Sequence, residues 1–363
     1  MTDAYFESIG EDWRRSAKRM AEWTMKYLVN RTDVWGRYLA RKYRKGPVGR
    51  NNAITAPFRD ERGKVFLNES SLEKHYRTKS PGGVLGLHSS SADYTSRWFA
   101  IDVDLHDDLD LSISPEGNFA AAHEWWSGLQ SMGFDPLLID SNGAGGYHLL
   151  VVFAEPMSTK SVHAFTDRFV ADYERRGLDM RPDIFPGKSE SGHYGNWLRL
   201  PGRHHTREHY TRVWNDEPWA EDKWLIGGDA IDRILQVQLA PFELMNKHGI
   251  VRARKTVCLD FDGVIHSYRS GWFGESVIPD PPLHGVDKAI ARLRERYDVV
   301  IHSSRCRTEE GREAIREWCA KHNIEVDDVC EHKPPAIVYV DDRGIPFRGD
   351  WDQMIADIHS FRK

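Results

Sequence analysis

The sequence lacks the features that mark several classes of protein. Its 363 residues include only four cysteines, which are widely spaced and contain no CxxC pair. They form neither a disulfide framework nor a zinc site, and they fit a reducing compartment. No apolar run approaches the roughly 20 residues that span a bilayer, and the polar start MTDAYFESIGEDWRR is unlike a secretory signal. We therefore expect a cytoplasmic protein with neither a membrane segment nor zinc.

Positive charge is missing from one long stretch of the chain. The formal net charge is −5, and residues 98–159 contain no lysine or arginine at all. This stretch includes WFAIDVDLHDD, an apolar, strand-like run in which Asp102 and Asp104 stand two residues apart. A buried carboxylate needs a positive charge beside it, and no side chain of the stretch supplies one. A bound metal ion is therefore the expected partner of this pair.

Basic residues are concentrated near the N-terminus instead. Residues 1–50 hold 12 lysines and arginines against 6 acidic residues, and the segment GRYLARKYRKGPVGR (36–50) is their focus. Aromatic residues lie among them, at Trp35, Tyr38 and Tyr43. One interpretation is a solvated helix face followed by a loop. The other is a surface that contacts a phosphate backbone.

Hydrophobic patterns divide the chain into two predicted domains, residues 1–250 and 251–363. In the first, a helix is expected over residues 12–45. Strand-like runs follow it, among them RWFAIDVDL, DPLLIDS and YHLLVVFAEP. These runs predict an α+β unit built on antiparallel pairs. In the second domain, short β-rich runs are separated by helical stretches, which predicts a parallel, doubly wound sheet.

Polar residues stand at or beyond the ends of the strands of the predicted parallel sheet. They are Asp260 and Asp262 in LDFDG, Ser303 in VVIHSS, Lys333 in HKPP, and Asp341 and Asp342 in IVYVDD. The carboxyl ends of parallel strands share one edge of a sheet, so these side chains are expected at one site. The alternative is that the acids only cap the following helices. Capping explains neither Lys333 nor the Asp341–Asp342 pair.

This ordered set resembles the haloacid dehalogenase (HAD) superfamily of phosphotransferases over residues 254–351. The resemblance implies a small Rossmann-like α/β domain with Mg²⁺-dependent phosphatase activity. Asp260 would attack phosphorus and Asp262 would act as general acid and base. Ser303 and Lys333 would hold the phosphoryl oxygens. The metal ligands would come from the acids Asp260, Asp262, Asp341 and Asp342.

The segment SYRSGWFGESVIPDPPLHG (residues 267–285), which we call the flap, is too short for a large cap domain. An uncapped site admits a bulky substrate such as a nucleic-acid end, although it also admits small molecules. Trp272 and Phe273 in the flap either stack on a base or pack internally.

The first acid pair is accompanied by further elements. Strand alternation places Asp102 and Asp104 on one face, where two carboxylates can share divalent cations. The run DSNGAGGYHLLVVF is a glycine-rich turn, suited to close approach of phosphate, that leads into a strand. Its predicted contacts are Ser141, Gly143 and His148. A later segment adds the acid Asp183 and a group that suits a triphosphate: Lys188, Arg199, Arg203, His204 and His205.

Together these elements resemble the archaeo-eukaryotic primase superfamily, and specifically the primase-polymerases of phages, plasmids and bacterial mobile elements, over residues 30–215. The resemblance implies an RRM-like α+β catalytic core, with Mg²⁺ or Mn²⁺ and no organic cofactor. Asp102, Asp104 and Asp183 match the metal-binding acids, and His148 matches the nucleotide-contacting histidine. Asp216 in RVWND is the alternative third acid. The implied partners are a single-stranded or primed DNA template and dNTP or NTP, and in the absence of a helicase motif any unwinding would need a separate helicase.

The first hypothesis is therefore a template-dependent nucleotidyltransferase, a DNA primase and/or DNA polymerase, fused to a phosphatase that acts on nucleic-acid ends or nucleotides. The alternative is a phosphatase whose primase-like domain only binds nucleic acid. A purely structural protein would require every acid cluster to be accidental. De novo priming and primer extension both stay open, as does the choice between dNTP and NTP.

Overall fold

The computed structural model describes residues 3–38, 53–56, 59–60, 63–104, 114–187, 196–217 and 223–361. The chain forms two compact units, Met1–Ala253 and Arg254–Lys363, which we call the N-terminal and the C-terminal unit. Lys188 and most of the basic segment, including Tyr43, lie outside the described residues. Neither unit contains a described helix that is both long and apolar enough to cross a membrane.

The N-terminal unit combines α-helices with antiparallel sheets. The helices are α1 (Asp3–Tyr27), α2 (Glu69–Arg77), α3 (Pro115–Ser131), α4 (Thr159–Phe169), α5 (Gly227–Leu235) and α6 (Phe242–Lys247), with short 3-10 helices at Pro81–Gly83 and Tyr173–Arg176. The strands are β1 (Trp35–Tyr38), β2 (Ala53–Ala56), β3 (Arg59–Asp60), β4 (Gly63–Lys64), β5 (Leu85–His88), β6 (Thr95–Val103), β7 (Leu137–Asp140), β8 (Tyr147–Ser158), β9 (Asp183–Phe185), β10 (Trp197–Arg199), β11 (Arg212–Trp214) and β12 (Trp224–Leu225).

Two sheets dominate this unit. The larger has the strand order β12-β11-β7-β8-β6-β9, and the smaller has the order β10-β5-β1-β2. Every pairing within them is antiparallel. The sequence prediction of antiparallel pairs is therefore confirmed. A further two-stranded pair joins β3 to β4.

The helix predicted over residues 12–45 is wrong in its extent. α1 ends at Tyr27, and β1 begins eight residues later. Long-range contacts fix the intervening turn, because the Nδ2 of Asn30 donates to the carbonyl of His88 at 3.1 Å and the amide of Leu67 donates to the carbonyl of Thr32 at 2.8 Å. The residues after the turn then complete the smaller sheet, and tertiary pairing overrides the local helical pattern.

Alternation along β6 determines which face carries the acids. Trp98 and Ala100 belong to the core cluster that also contains residues of α1 and β5. Ile101 and Val103 belong to a second cluster on the other face, with α3. Asp102 follows Trp98 and Ala100 at a spacing of two, so it lies on the α1 and β5 side of the larger sheet.

The C-terminal unit is a parallel sheet with helices. Its strands are β13 (Lys255–Leu259), β14 (Tyr297–Ile301), β15 (Asp328–Val329) and β16 (Val338–Val340), and its helices are α7 (Val286–Arg294), α8 (Glu309–Lys321) and α9 (Trp351–Ser360), with a 3-10 helix at Ser304–Arg307. The strand order is β15-β14-β13-β16 and all pairings are parallel. The predicted parallel sheet is confirmed. Phe261, Ile301 and Ile315 lie in its core and are fully buried.

Candidate active sites

Strand pairing places three acidic side chains on one face of the larger sheet, although their carboxylate oxygens are not among the described groups that all lie within 4.8 Å of one another. Asp102 on β6 is the register partner of His148 on β8 and of Asp183 on β9. Directly opposed residues of paired strands present their side chains on the same face. Asp104, two residues beyond Asp102 and just past the end of β6, lies on that face as well. We call Asp102, Asp104 and Asp183 the N-terminal acid cluster.

The carboxylate of Asp102 fits a bound cation. Its Oδ1 is buried and has no hydrogen-bond partner among the residues that the structure describes, and the Nε2 of His148 lies 3.4 Å from it. Burial raises the pKa of Asp102 well above its usual range, and the charges of Asp104 and Asp183 raise it further. A divalent cation would supply the missing partner and keep the carboxylates ionised. Oxygen ligands of this kind suit Mg²⁺ or Mn²⁺.

Arg199 brings one positive charge to the cluster from the smaller sheet. It is buried on β10, where its guanidinium donates to the carbonyl of Ser141. Asp102 and Asp104 lie within range of its charge and act against the fall in the pKa of Arg199 that burial causes. Among the described residues that line this site, Arg199 is the only lysine or arginine. One guanidinium does not neutralise three carboxylates, which is a second argument for metal ions here.

Two of the three predicted histidines, His148 and His204, are neutral rather than cationic. Burial lowers the pKa of His148 to about 3, and the charge of Arg199 lowers it as well. The same two causes lower the pKa of His204 to about 2. The Nδ1 of His204 accepts hydrogen bonds from the amides of Thr206 at 3.2 Å and Arg207 at 3.0 Å. Nδ1 is therefore unprotonated, and His204 can offer only its Nε2–H to a ligand.

The glycine-rich turn after β7 is tied to the acid cluster by Asn142. Its Oδ1 accepts hydrogen bonds from the amides of Ala144 at 2.8 Å and Gly146 at 3.0 Å. Its Nδ2 donates to the Oδ1 of Asp104 at 3.2 Å. Asn142 thus fixes both the shape of the turn and the orientation of one acid. The sequence prediction passed over Asn142, although an asparagine that precedes glycine is a common turn former.

Gly143 has a packing role in this turn. Its φ is +70°, and a Cβ there would lie 2.7 Å from the Nδ1 of His209. Its amide donates to the Oδ1 of Asp140 at 2.7 Å, and the Nε of Arg212 holds the other oxygen of that carboxylate at 2.9 Å. The amide is therefore engaged within the protein. The phosphate contact predicted for Gly143 would have to replace this bond.

A pocket of about 430 Å³ opens over the N-terminal acid cluster. Its lining residues come from both sheets and from the loops beside them, and they are Tyr38, Asp102, Asp104, Ser141, Asn142, His148, Asp183, Phe185, Asn196, Trp197, Leu198, Arg199, His204 and His205. Tyr38 stacks on His205 with ring centroids 3.7 Å apart and contacts Trp197 edge to face at 5.2 Å. Burial raises the pKa of Tyr38 to about 12. The site thus has acidic residues on the larger sheet. Opposite to these in character is a group of rings, Tyr38 and Trp197 of the smaller sheet with His205, which we call the aromatic wall.

The aromatic wall depends on two glycines of the smaller sheet. A Cβ on Gly36 would lie 1.9 Å from the Trp197 ring, and one on Gly86 would lie 2.0 Å from it. Gly86→Ala is expected to displace the indole and destabilise the fold by about 1–3 kcal/mol, seen as a lower urea midpoint. Gly228→Ala in α5 is the matched control, because nothing lies within 4 Å of that position. Equal urea midpoints for the two variants would show that the Trp197 ring does not pack against Gly86.

Two predicted residues lie elsewhere. The guanidinium of Arg203 is 5.9 Å from the Phe6 ring centroid, and its Nη1 donates to the carbonyl of His204 at 2.9 Å. Asp216 is exposed beyond β11, and β7 and β8 separate that strand from β6. Neither is among the described residues that line the pocket. Of the two alternatives for a third acid, the structure places Asp183 beside Asp102.

A second acid cluster lies at the carboxyl ends of two neighbouring parallel strands. Asp260 follows β13, and Asp341 and Asp342 follow β16, which pairs with β13. One carboxylate oxygen of each residue lies within 4.8 Å of the others. Such a set can coordinate one Mg²⁺ or Mn²⁺ ion through hard oxygen ligands. We call these three residues the C-terminal acid cluster.

Asp260 is partly buried at the end of β13. Burial raises its pKa, and the charge of Asp341 adds to this effect. The amide of Phe261 donates to its Oδ1 at 2.7 Å, and the side chain of Ser303 also hydrogen-bonds to it. Ser303 is buried and follows β14 by two residues. The structure therefore brings Ser303 to Asp260, as strand topology predicted.

Asp262 is held by two buried side chains. The Nδ1 of His266 lies 2.8 Å from its Oδ1, and the Nε of Arg305 donates to its Oδ2 at 2.8 Å. His266 and Arg305 are both completely buried. Both oxygens of Asp262 are thus engaged, and the described metal cluster does not include it. To act as general acid, general base or metal ligand, as predicted, Asp262 would have to break its hydrogen bond with His266 or with Arg305.

Lys333 contacts an aromatic ring. It is exposed, and its Nζ lies 4.0 Å from the centroid of Tyr339. Its charge also acts on Cys258, whose pKa burial raises to about 11. A phosphoryl contact for Lys333 stays a prediction.

The comparisons with known proteins add little to this geometry. No protein-family model and no curated protein matches the chain. A similar solved structure is the polymerase domain from Mycobacterium tuberculosis Ligase D in complex with DNA, at 12% sequence identity. The similarity covers 67% of this chain and 88% of that chain, with a TM-score of 0.34. A similarity of this strength does not indicate an activity.

Proposed function

We propose that the N-terminal unit is a template-dependent nucleotidyltransferase that uses Mg²⁺ or Mn²⁺. One observation carries the proposal: the buried Oδ1 of Asp102 accepts no hydrogen bond in the described part of the chain, and the charges of Asp104 and Asp183 act on the same carboxylate. Such an arrangement is unfavourable unless a cation completes it. Two divalent ions shared by carboxylates are the usual means of transferring a nucleotidyl group.

The chain's own residues suggest how the substrates would be held. Asp102, Asp104 and Asp183 would bind the metal ions, which would lower the pKa of a 3′-hydroxyl and stabilise the departing pyrophosphate. Arg199 would contribute a fixed positive charge to the triphosphate. His148 and His204, both neutral, would offer hydrogen bonds without adding charge. Ser141 would contact the phosphates from the turn.

The decisive experiment is nucleotide incorporation. The full chain is incubated with labelled dNTP or NTP and Mn²⁺, on primed and on unprimed DNA templates, and the products are resolved on a gel. We expect products whose composition follows the template. Products only on primed templates would indicate a polymerase, and products on both would indicate a primase. The proposed partners are therefore DNA and nucleoside triphosphates, with unwinding left to a separate helicase.

The alternative is that the N-terminal unit binds nucleic acid without chemistry. No incorporation on any template with either metal, together with retained DNA binding, would favour it. The positive charge of Arg199 beside the cluster does not discriminate between the two functions, because both need contact with phosphates. The buried Oδ1 of Asp102, which accepts no hydrogen bond from the described residues, favours the enzyme, since contact with a phosphate backbone does not require a carboxylate.

We further propose that the C-terminal unit is a Mg²⁺-dependent phosphatase of the HAD type. The three oxygens of the C-terminal acid cluster favour it, as does the position of Asp260 at the carboxyl end of a central parallel strand. Asp260 would attack phosphorus and displace the alcohol of the ester, forming an aspartyl-phosphate that water then hydrolyses to release phosphate, while Ser303 holds a phosphoryl oxygen. The substrates we propose are nucleic-acid ends or nucleotides. The metal ion would offset the charge of the phosphoryl group.

A further inference from the structure

Arg305 in the C-terminal unit is completely buried, and its contacts explain how that charge is tolerated. Its Nε donates to Asp262, as described above. Its Nη1 lies within hydrogen-bonding distance of three main-chain carbonyls of the flap, at 2.7 Å for Gly274, 3.0 Å for Glu275 and 3.1 Å for Val277. Its Nη2 has no hydrogen-bond partner among the described residues. The guanidinium therefore joins the flap to the loop that carries Asp262.

The flap is also closed at its base. The amide of Ser267 donates to the carbonyl of Pro281 at 3.0 Å. Asp280 accepts hydrogen bonds from both the amide and the hydroxyl of Ser270, each at 2.7 Å. With its ends tied together and its middle held by Arg305, the flap has a defined shape rather than that of a free loop.

Trp272 in the flap rests on the same guanidinium. The central carbon of Arg305 lies 4.6 Å from the centroid of the indole ring, which is a cation–π contact. Trp272 nevertheless stays 46% exposed. An aromatic ring that is supported from one side by a buried cation and open to solvent elsewhere is prepared to stack on a planar ligand.

We propose that Arg305 is a positioning residue that presents Trp272 as a stacking surface for a nucleobase next to the C-terminal acid cluster. The ligand would be a phosphate ester whose alcohol carries a base, either a mononucleotide or the end of a nucleic acid. The same guanidinium holds Asp262, two residues beyond Asp260, so Arg305 links the stacking surface to the loop that follows the reacting centre. The inference rests on the phosphatase activity proposed above and adds its substrate class.

The first test compares substrates with and without a base. The full chain carries Asp102→Asn, so that the activity proposed for the N-terminal unit does not consume the substrates. Phosphate release is measured with a nucleoside 5′-monophosphate, a 5′-phosphorylated oligonucleotide and ribose 5-phosphate. Trp272→Ala is expected to raise KM for the base-bearing substrates about 10-fold and to leave KM for ribose 5-phosphate and all kcat values unchanged. Whichever of the two base-bearing substrates, the mononucleotide or the oligonucleotide, shows the larger rise in KM is the preferred substrate.

Arg305→Lys keeps the charge but loses the planar fork. It is expected to reproduce the KM effect of Trp272→Ala and also to lower kcat, because a lysine cannot bond to Asp262 and to the flap carbonyls at once and so no longer holds Asp262 in position. The matched controls are Trp351→Ala, at an exposed tryptophan of α9, and Arg316→Lys, at a partly exposed arginine of α8. Both are expected to behave as the parent chain. Because Trp272 is exposed, its variant tests the stacking even if Arg305→Lys does not fold.

Two results would overturn the inference: an equal rise in KM for ribose 5-phosphate in Trp272→Ala, or no change for any substrate. If no variant releases phosphate, equilibrium dialysis of labelled nucleoside monophosphate with the same Asp102→Asn chain decides the matter. Weaker binding in Trp272→Ala but not in Trp351→Ala would keep the stacking surface and reject the phosphatase. Equal binding would reject the stacking surface itself.

Discussion

Asp102→Asn is expected to reduce template-dependent incorporation by about 1,000-fold or more. Asparagine has nearly the same shape but lacks the charge that binds a divalent ion, and each 1.36 kcal/mol lost from the transition state costs about tenfold in rate. The measurement is initial-rate primer extension with Mn²⁺ and with Mg²⁺. Asp183→Asn should show a loss of the same order, because Asp183 is the register partner of Asp102.

The loss should not come from unfolding. Burial and the neighbouring acids raise the pKa of Asp102. The ionised carboxylate therefore lowers the free energy of unfolding at neutral pH, and protonation restores that stability as the pH falls. The asparagine variant should therefore be at least as stable as the parent in the absence of metal, as measured by urea unfolding. Asp216→Asn is the comparison at the alternative acid, and we expect it to retain extension. Full activity in Asp102→Asn, or loss in Asp216→Asn alone, would contradict the assignment.

Local patterns predicted the main features of the N-terminal site. A period of two along one strand is sufficient to put Asp102 and Asp104 on one face. The glycine-rich turn and the strand carrying His148 likewise follow from residues close together in sequence. Asp183 could be named as a candidate, but only the pairing of β9 with β6 selects it over Asp216. Strand register is a long-range property, and a single sequence leaves it open.

The charge state of the site could not be predicted from residue types. A cluster of arginine, lysine and histidine suggested several positive charges around a triphosphate. Burial makes His148 and His204 neutral, and Arg203 faces Phe6 instead. Desolvation depends on how the two sheets close over the pocket, and no local pattern encodes it.

Arg305 shows the same limit in the C-terminal unit. Its partner Asp262 is 43 residues away in the sequence, and the three flap carbonyls are main-chain atoms that carry no sequence signal. The parallel sheet and the strand-end position of Asp260 were predictable, because strand–helix alternation is regular there. The side chain that joins flap and site was not.

Asp260→Asn is expected to abolish phosphate release from the C-terminal site while leaving template-dependent incorporation intact. The carboxylate is the proposed nucleophile, so its amide should lower kcat by about 1,000-fold or more. Release is measured with an aryl phosphate in Mg²⁺, and incorporation is measured on the same preparation. Asp352→Asn, at an exposed acid of α9, is the matched control.

Asp102→Asn and Asp260→Asn are expected to act through different acid clusters, so comparing the two variants tests each cluster separately. Asp102 and Asp260 belong to different sheets in different units, each with its own acids. If both acid clusters are catalytic, Asp102→Asn and Asp260→Asn should each remove one activity and leave the other. Phosphate release that survives in Asp260→Asn would mean that the C-terminal acid cluster binds a metal for another purpose. Loss of incorporation in Asp260→Asn would mean that the two sites depend on one another, because no residue is shared between the clusters.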